Sequence, residues 1–172
     1  MDFMIRAVRP QEYETLGELT GRAYLDDGFL LHGEDDWYYG HLRNVAGRAE
    51  VAEVLAAVDA DGTVLGGVTF VPAPGVMGDR ATEGETEIRM LAVDRAARGR
   101  GVGEALVRAC VERARAVPGC ERIVLSTQPE MRTAHRIYER LGFHRTPERD
   151  WSPIPDQPEF TLLCYCLELH AS

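Results

Sequence analysis

EIRMLAVDRAARGRGVG, residues 87–103, is the stretch that decides the fold. Its first half is an apolar run of strand-forming residues, and its second half is a basic loop that contains Gly99, Gly101 and Gly103. Apolar residues at helical spacing follow over residues 106–117, so the stretch predicts a strand, a loop and a helix. Because glycines let backbone N–H groups approach a ligand and a helix N-terminus is partly positive, we expect this loop to hold a diphosphate.

The spacing of the glycines separates this loop from two other phosphate-binding loops. A kinase-type loop needs GxxxxG followed by Lys and by Ser or Thr, and this sequence has no such Lys. A dinucleotide-binding loop needs GxGxxG, whereas the glycines here fall as GxGxG. Arg95, Arg98 and Arg100 add positive charge to the loop, although a glycine-rich turn with solvated arginines is the plain alternative.

The composition is typical of one folded domain, which we expect to cover residues 1–172. A net charge of −9 disfavours nucleic acid as a partner. No apolar run reaches membrane-spanning length and no signal peptide opens the sequence, so we expect a cytoplasmic protein without a membrane partner. We expect no metal site, because the cysteines lack metal-ligand spacing, and we expect four reduced core thiols at Cys110, Cys120, Cys164 and Cys166.

Hydrophobic periodicity and turn signals predict the element order β-α-α-β-β-β-α-β-α-β-β. This mixture of helices and strands predicts an α/β (α+β) fold with a mixed sheet and helices on both faces. The predicted strands are residues 3–8, 50–59, 63–71, 87–93, 122–127, 143–145 and 160–169, and the predicted helices are residues 11–24, 34–47, 103–117 and 129–141.

Two motifs resemble those of the GCN5-related N-acetyltransferases. RGRGVG, residues 98–103, resembles the R/Q-x-x-G-x-G/A loop that holds the pyrophosphate of acetyl-CoA in that family. AHRIYERLGF, residues 134–143, resembles the family's A-x-x-x-Y-x-x-x-G-F segment. The predicted element order is also the family's, so the resemblance covers roughly the whole sequence. One departure is Met131, which stands where many members have an Asn that contacts the cofactor.

The resemblance implies the GNAT fold, in which a mostly antiparallel sheet of about seven strands is splayed between strands 4 and 5. It also implies that acetyl-CoA is the cosubstrate and that the fourth strand binds the pantetheine arm through its backbone. A β-bulge in that strand would free amide groups, one of which could polarise the thioester carbonyl. The implied cofactor-binding residues are Leu91, Ala92, Val93, Arg98, Gly99, Arg100, Gly101, Val102, Gly103 and Thr127.

Tyr138 is the candidate general acid for the thiolate leaving group. A phenol stays protonated at neutral pH, and the resemblance implies that Tyr138 lies near the cofactor sulfur. Tyr138 also lies on the apolar stripe of its helix, so a packing role alone is the alternative.

Glu87 is the candidate base for the substrate ammonium, with a solvated or Arg-paired carboxylate as the alternative. Regular strand alternation predicts that Arg89 and Leu91 share its face. Glu85 has the same parity and is the second candidate, and a water relay would also serve. Histidines that could replace them are His41, His135 and His144.

The acceptor is expected to be a small-molecule or peptide amine, bound by residues 24–36 and 72–85. Acidic residues that could attract a cation are Asp26, Asp27, Glu34, Asp35 and Asp36, and aromatic residues that could form a wall are Trp37, Tyr38 and Trp151. Helix-capping acids and core aromatics are the alternatives. The sequence thus predicts an N-acetyltransferase. A homodimer is compatible with this prediction. The competing function is a non-catalytic CoA-binding regulatory domain.

Overall fold

A computed structural model describes residues 2–75, 77–78 and 80–169. The strands in this part of the chain are β1 (Phe3–Ala7), β2 (Glu53–Asp59), β3 (Val64–Val71), β4 (Glu85–Val93), β5 (Arg122–Thr127), β6 (His144–Arg145) and β7 (Leu163–Glu168). The α-helices are α1 (Tyr13–Asp26), α2 (Trp37–Arg43), α3 (Val45–Val51), α4 (Val102–Ala116) and α5 (Arg132–Arg140). The order agrees with the prediction except where one predicted helix becomes two.

The seven strands form one sheet in the order β1-β2-β3-β4-β5-β7-β6. All neighbouring pairs are antiparallel except β4 and β5, which run parallel. β5 pairs with β4 only over Glu85–Ile88, so the rest of β4 diverges from it. This arrangement confirms the predicted fold class, including the separation of strands 4 and 5.

Helices cover both faces of the sheet, and each face has its own core. The apolar stripe of α4, from Val102 to Ala114, packs with Ile137 and Tyr138 of α5 into the largest buried cluster. Leu16 of α1 and Val45 of α3 pack against the opposite face. Burial of these stripes is the main stabilisation of the layered fold, because each apolar side chain removed from water contributes about 1.5–3 kcal/mol.

The predicted helix over residues 34–47 is wrong, because the chain turns at Asn44. The Asn44 side chain caps α3 by accepting a backbone N–H in its first turn at 3.0 Å, and Asp36 caps α2 in the same way. The guanidinium of Arg48 in α3 donates to the His41 carbonyl at the end of α2. Side-chain caps and an arginine therefore satisfy backbone groups that one continuous helix would have paired internally.

Three other predicted elements begin three residues later in the structure than expected, at Glu53, Arg132 and Leu163. Residues 50 and 51, predicted as strand, complete α3, and α5 begins at Arg132 rather than at residue 129. The last strand begins at Leu163 rather than at residue 160. All four cysteines lie in the described part of the chain, are buried and form no disulfide, as predicted. Within the described ranges, none of the helices has the length and apolar character needed to cross a bilayer.

Glu85 holds the closed end of the β4–β5 pair through a buried ion-pair cluster. Its side chain is 2% exposed and accepts hydrogen bonds from Arg122 at 3.0 Å and from Arg149 at 2.9 Å. The Thr82 backbone N–H donates to the same carboxylate at 2.9 Å. Burial alone would raise the pKa of Glu85, but these hydrogen bonds outweigh it and lower the pKa to about 2.

We predict that Glu85→Gln lowers the free energy of unfolding by about 3 kcal/mol near neutral pH, because it removes the buried carboxylate charge that both Arg122 and Arg149 contact. Since the pKa is lowered in the folded state, this stabilisation is present above the ordinary value of 4.5 and is lost as the pH falls towards 2. Urea unfolding of wild type and variant from about pH 7 to about pH 3 measures the difference.

Glu168→Gln is the matched control, because Glu168 pairs with the same Arg122 but its side chain is 51% exposed. We expect it to cost less than about 1 kcal/mol. Equal losses from the two variants, or a difference for Glu85→Gln that does not change with pH, would contradict the role given to the buried cluster.

Candidate active site

β4 contains a β-bulge at the point where it leaves β5. Val68 of β3 lies opposite both Met90 and Leu91, so β4 carries one extra residue at this position. Met90 has a φ of 57°, in the left-handed region that residues with a Cβ seldom occupy. The bulge therefore lies in the strand and near the position that the family resemblance implied.

The bulge changes which side chains share a face of β4. Ile88 and Leu91 both contact the core under α4, whereas Met90 packs with Leu30 on the other face of the sheet. Glu87 precedes Ile88 in the regular part of the strand and therefore faces away from α4. The prediction that Leu91 shares the face of Glu87 is wrong, because the extra residue reverses the alternation.

A cavity of about 640 Å³ lies beside the diverging end of β4, at the N-terminus of α4. Eight of the ten predicted cofactor residues line it: Leu91, Ala92, Val93, Arg98, Gly99, Gly101, Val102 and Gly103. Arg100 and Thr127 do not. Thr127 instead lines a second cavity and donates to the Met131 sulfur at 3.5 Å.

The glycine loop gives α4 an open N-terminus. Gly101 precedes the helix with a φ of 80°, and no side chain of the described residues caps this end. A Cβ on Gly103 would lie 2.9 Å from Cδ1 of Ile137, so this position allows α4 and α5 to approach closely. Uncapped N–H groups and the helix dipole together make the first turn of α4 suitable for an anion.

The loop arginines are not equivalent. Arg98 lines the cavity and donates to Asp27 at 2.7 Å, and Arg95 donates to the same carboxylate at 3.1 Å. The Arg100 side chain instead donates to Asp2 at 2.7 Å on the outer edge of the sheet. Arg98 is therefore the loop arginine whose side chain adds charge to the cavity, and Asp27 partly balances that charge.

A second cavity of about 250 Å³ adjoins the first on the other side of the bulge. Tyr24, Phe29 and Met131 line both cavities. The three aromatic residues predicted to form an acceptor wall, Trp37, Tyr38 and Trp151, all line the second cavity. Two cavities thus meet where β4 and β5 part, one beside a glycine loop and one surrounded by aromatic rings.

Glu87 is the candidate base that the structure places on the wall of the smaller cavity. It is 3% exposed, and one carboxylate oxygen accepts the backbone N–H groups of Arg80 and Ala81 at 3.1 and 3.0 Å. Glu85 lines neither cavity, because arginines of the ion-pair cluster hold it. The histidines named as alternatives, His41, His135 and His144, line neither cavity.

Tyr138 of α5 lies in the main hydrophobic core. It is 5% exposed, and its ring centroid is 5.8 Å from those of both Phe143 and Tyr165. Burial raises its pKa, with smaller contributions from neighbouring Cys110 and Tyr165, so the hydroxyl keeps its proton at neutral pH. It lines neither cavity directly, so packing is one established part of its role.

Three of the five acidic residues predicted to attract a cation have structural partners instead. Asp36 accepts backbone N–H groups of His32 and Tyr38 with its two oxygens, at 3.2 and 3.0 Å. Asp27 is held by the loop arginines, and Asp26 pairs with a neighbouring arginine on its own helix. Of the five acids, Asp36 alone lies on the wall of the smaller cavity within the described residues, so the capping interpretation fits them better.

The sequence predicted residues 24–36 at the acceptor site, but it did not predict that Tyr24 and Phe29 also line the larger cavity or that the first turn of α5 does. Tyr24 and Phe29 reach the cavities from the end of α1, and Arg132 and Thr133 reach the larger one from α5. The adjacent Ala134 belonged to a recognised motif and could have drawn attention to α5. No local pattern indicated that α1 packs across the open end of β4.

A match to the family model described as "Acetyltransferase (GNAT) family" covers residues 13–143. The chain therefore belongs to the GNAT family of acetyltransferases, and the predicted membership is confirmed. The residues that it matches include the bulged strand, the glycine loop and the Tyr138 segment.

Among individual proteins, the chain is 34% identical to N-acetylaspartate synthetase of Danio rerio over 76 residues, which are 44% of this chain and 27% of that protein. It thus corresponds to about a quarter of the length of the curated relative that it matches. The yncA structure of Salmonella typhimurium, solved with its cofactor acetyl-CoA, is 19% identical over 100% of this chain and 98% of that one, with a TM-score of 0.72. A GCN5-related N-acetyltransferase of Kribbella flavida is 22% identical over 98% of both chains, with a TM-score of 0.70.

Proposed function

We propose that this protein transfers the acetyl group of acetyl-CoA to a primary amine. The observation that carries the proposal is the meeting of the two cavities at the bulge of β4. The larger cavity has the features of a diphosphate site, and the smaller one has a carboxylate and aromatic walls. Two reactants bound there would meet where β4 and β5 part, an arrangement that direct transfer in a ternary complex requires.

The residues of the larger cavity suit acetyl-CoA, which would supply an acetyl thioester. The N–H groups at the start of α4 and the side chain of Arg98 would bind the diphosphate. Residues 91–93 have no partner strand on the β5 side, so their backbone groups would bind the amides of the pantetheine arm. The acetyl-CoA reported in the yncA structure supports this assignment by analogy of fold.

Transfer requires three proton movements and one exchange of bonds. Glu87 would accept a proton from the substrate ammonium, directly or through water, so that the nitrogen lone pair can attack the thioester carbon. The new N–C bond forms as the C–S bond breaks, and Tyr138 would donate its proton to the departing sulfur. The nitrogen, now bonded to the acetyl carbon, loses its second proton, which would restore the phenol of Tyr138. A backbone N–H freed at the bulge would stabilise the negative charge that develops on the carbonyl oxygen. The products are an N-acetyl amine, CoA thiol and one released proton.

A panel of amines tested with acetyl-CoA, with released thiol as the readout, tests this function directly. The competing function is a CoA-binding domain without catalysis, which the buried position of Tyr138 favours. Such a domain would bind acetyl-CoA and release no thiol with any amine.

We predict that Gly101→Glu abolishes binding of CoA, because it forces a side chain into a left-handed φ and places a negative charge beside the diphosphate. Calorimetric titration with CoA measures the loss. Gly119→Glu is the control, since Gly119 has a similar φ of 78° at the opposite end of α4. Unchanged affinity in Gly101→Glu would show that the loop does not bind the diphosphate.

We predict that Tyr138→Phe lowers kcat by about 100-fold and leaves the affinity for acetyl-CoA unchanged, because it removes the acid but keeps the ring. Thiol release and calorimetry measure the two quantities. Tyr165→Phe is the control, because Tyr165 packs against Tyr138 but its hydroxyl donates to Glu139, at 3.0 Å. Equal turnover in wild type and Tyr138→Phe would remove Tyr138 as the acid.

We predict that Glu87→Gln lowers kcat by about 100-fold near neutral pH, because the amide can still accept the Arg80 and Ala81 N–H groups but takes no proton. The activity should recover partly as the pH rises and more of the free amine is neutral. Glu83→Gln, at an exposed position before β4, is the control. A variant that matches wild type across the pH range would show that another group or water acts as the base.

A further inference from the structure

The smaller cavity has a predominantly aromatic and apolar wall. The rings that line it are Tyr24, Phe29, Trp37, Tyr38, Trp151 and Phe160. Trp37 is 60% exposed and Leu31 is 45% exposed, so the wall ends in an apolar rim that solvent reaches. The Trp151 indole donates to Ser126 of β5 at 2.9 Å, which fixes the ring in place. Such a wall favours a ligand with a large apolar group.

Charged side chains on this wall are few, and they differ in their hydrogen-bond partners. Among the described residues that line the cavity they are Asp36, Glu87 and Arg89. Asp36 caps α2 and is engaged by backbone N–H groups on both oxygens. Glu87 and Arg89 lie two residues apart on one face of β4, about 7 Å along the strand. The cavity therefore presents one negative and one positive group side by side on an otherwise apolar surface.

Arg89 is half-buried and is held in a defined position. Its guanidinium donates to the Met77 carbonyl at 3.1 Å and lies 3.4 Å from the Tyr38 hydroxyl. It immediately precedes Met90, the bulge residue beside which the thioester would lie. Arg89 also lines the cavity, and a planar guanidinium matches the geometry of a carboxylate.

We propose that the acceptor is a free α-amino acid with a large apolar or aromatic side chain. Its carboxylate would bind Arg89, its ammonium would face Glu87, and its side chain would lie among the rings. Because one carbon separates the two charged groups of an α-amino acid, a carboxylate at Arg89 keeps the nitrogen beside the bulge. The inference rests on the proposed acetyl transfer and specifies its acceptor.

The same features disfavour two other acceptor classes. A polycationic amine would need several carboxylates facing it, whereas among the described residues only Asp36 and Glu87 line this cavity, and Asp36 caps α2. A peptide N-terminus has no carboxylate next to its amine. The cavity volume of about 250 Å³ is also suited to one small molecule rather than to several peptide residues.

Binding can be measured without turnover, because both tryptophans of the sequence, Trp37 and Trp151, line this cavity. We would titrate the protein, saturated with CoA, with L-leucine, L-phenylalanine, isoamylamine and phenethylamine while recording tryptophan fluorescence. Each amine lacks only the carboxylate of its amino acid. We expect each amino acid to bind at least about 10-fold more tightly than its amine.

Arg89→Gln should remove this preference by weakening only the amino acids, and Arg89→Lys should restore part of it. Arg136→Gln is the charge-matched control, since Arg136 is exposed on α5 and lines neither cavity. In thiol-release assays the Arg89→Gln effect should appear in KM for the amino acids and be small for the amines. Equal affinities for acid and amine in wild type, no binding of either, or a preference that survives in Arg89→Gln would overturn the inference.

Different results would contradict the identity of the acceptor and the acetyl transfer itself. If other amines release thiol while the amino acids are not preferred, the acceptor assignment is wrong and acetyl transfer stands. If L-leucine or L-phenylalanine binds with the expected dependence on Arg89 but no amine releases thiol with acetyl-CoA, the transfer itself is wrong.

Discussion

The bulge of β4 lies where the strand leaves β5, and it determines which residues border the two cavities. A buried strand must satisfy its N–H and C=O groups on both edges, yet among the strands that the structure describes residues 90–93 lie beside β3 and have no partner on the β5 side. The other edge is therefore open to a ligand or to water. Gly66 allows β3 to follow the distorted strand, since a Cβ there would lie 2.6 Å from the Ala92 carbonyl oxygen. Both cavities and the start of α4 are arranged around this unpaired edge.

The sequence predicted the parts of this arrangement that local pattern determines. The alternation of Gly99, Gly101 and Gly103 identified the loop because left-handed φ values and close helix contacts require glycine there. Apolar spacing identified α4 because its stripe is buried against the sheet. The family resemblance then supplied the separation of strands 4 and 5, which no local pattern contains.

The remaining features depend on contacts between residues distant in the sequence. The bulge reversed the side-chain alternation after Met90, which a period-two pattern could not reveal. Asn44 ended a helix whose apolar spacing continued past it, because a side-chain cap replaced the internal hydrogen bonds. Arg100 was grouped with Arg98 by position, but the acids of the β1–β2 edge draw its side chain away. Glu85 and Glu87 looked alike in sequence and differ only in their neighbours.

A buried cation stabilises the aromatic wall from behind. Arg48 is 5% exposed and donates to the carbonyls of His41 and Leu42 and to the Thr69 hydroxyl. Burial lowers its pKa to about 10, so it stays charged at neutral pH without a carboxylate partner among its hydrogen bonds. It ties the end of α2 to β3, and α2 in turn carries Trp37 and Tyr38. A polar contact within the core thus positions an apolar surface.

The Glu85 cluster fixes β4 at the end that pairs with β5. Glu85, Arg122 and Arg149 clamp β4 to β5 on one side of their contact, and the strands diverge on the other. A change in the angle between β4 and β5 at this cluster would alter the width of both cavities, because both border the diverging part of β4. Substitutions in the Glu85 cluster should therefore change the affinities for both ligands, whereas substitutions on the wall of one cavity should change the affinity for one ligand. Coupling between binding in the two cavities would then depend on the contacts that join β4 to β5, rather than on the residues that touch a ligand.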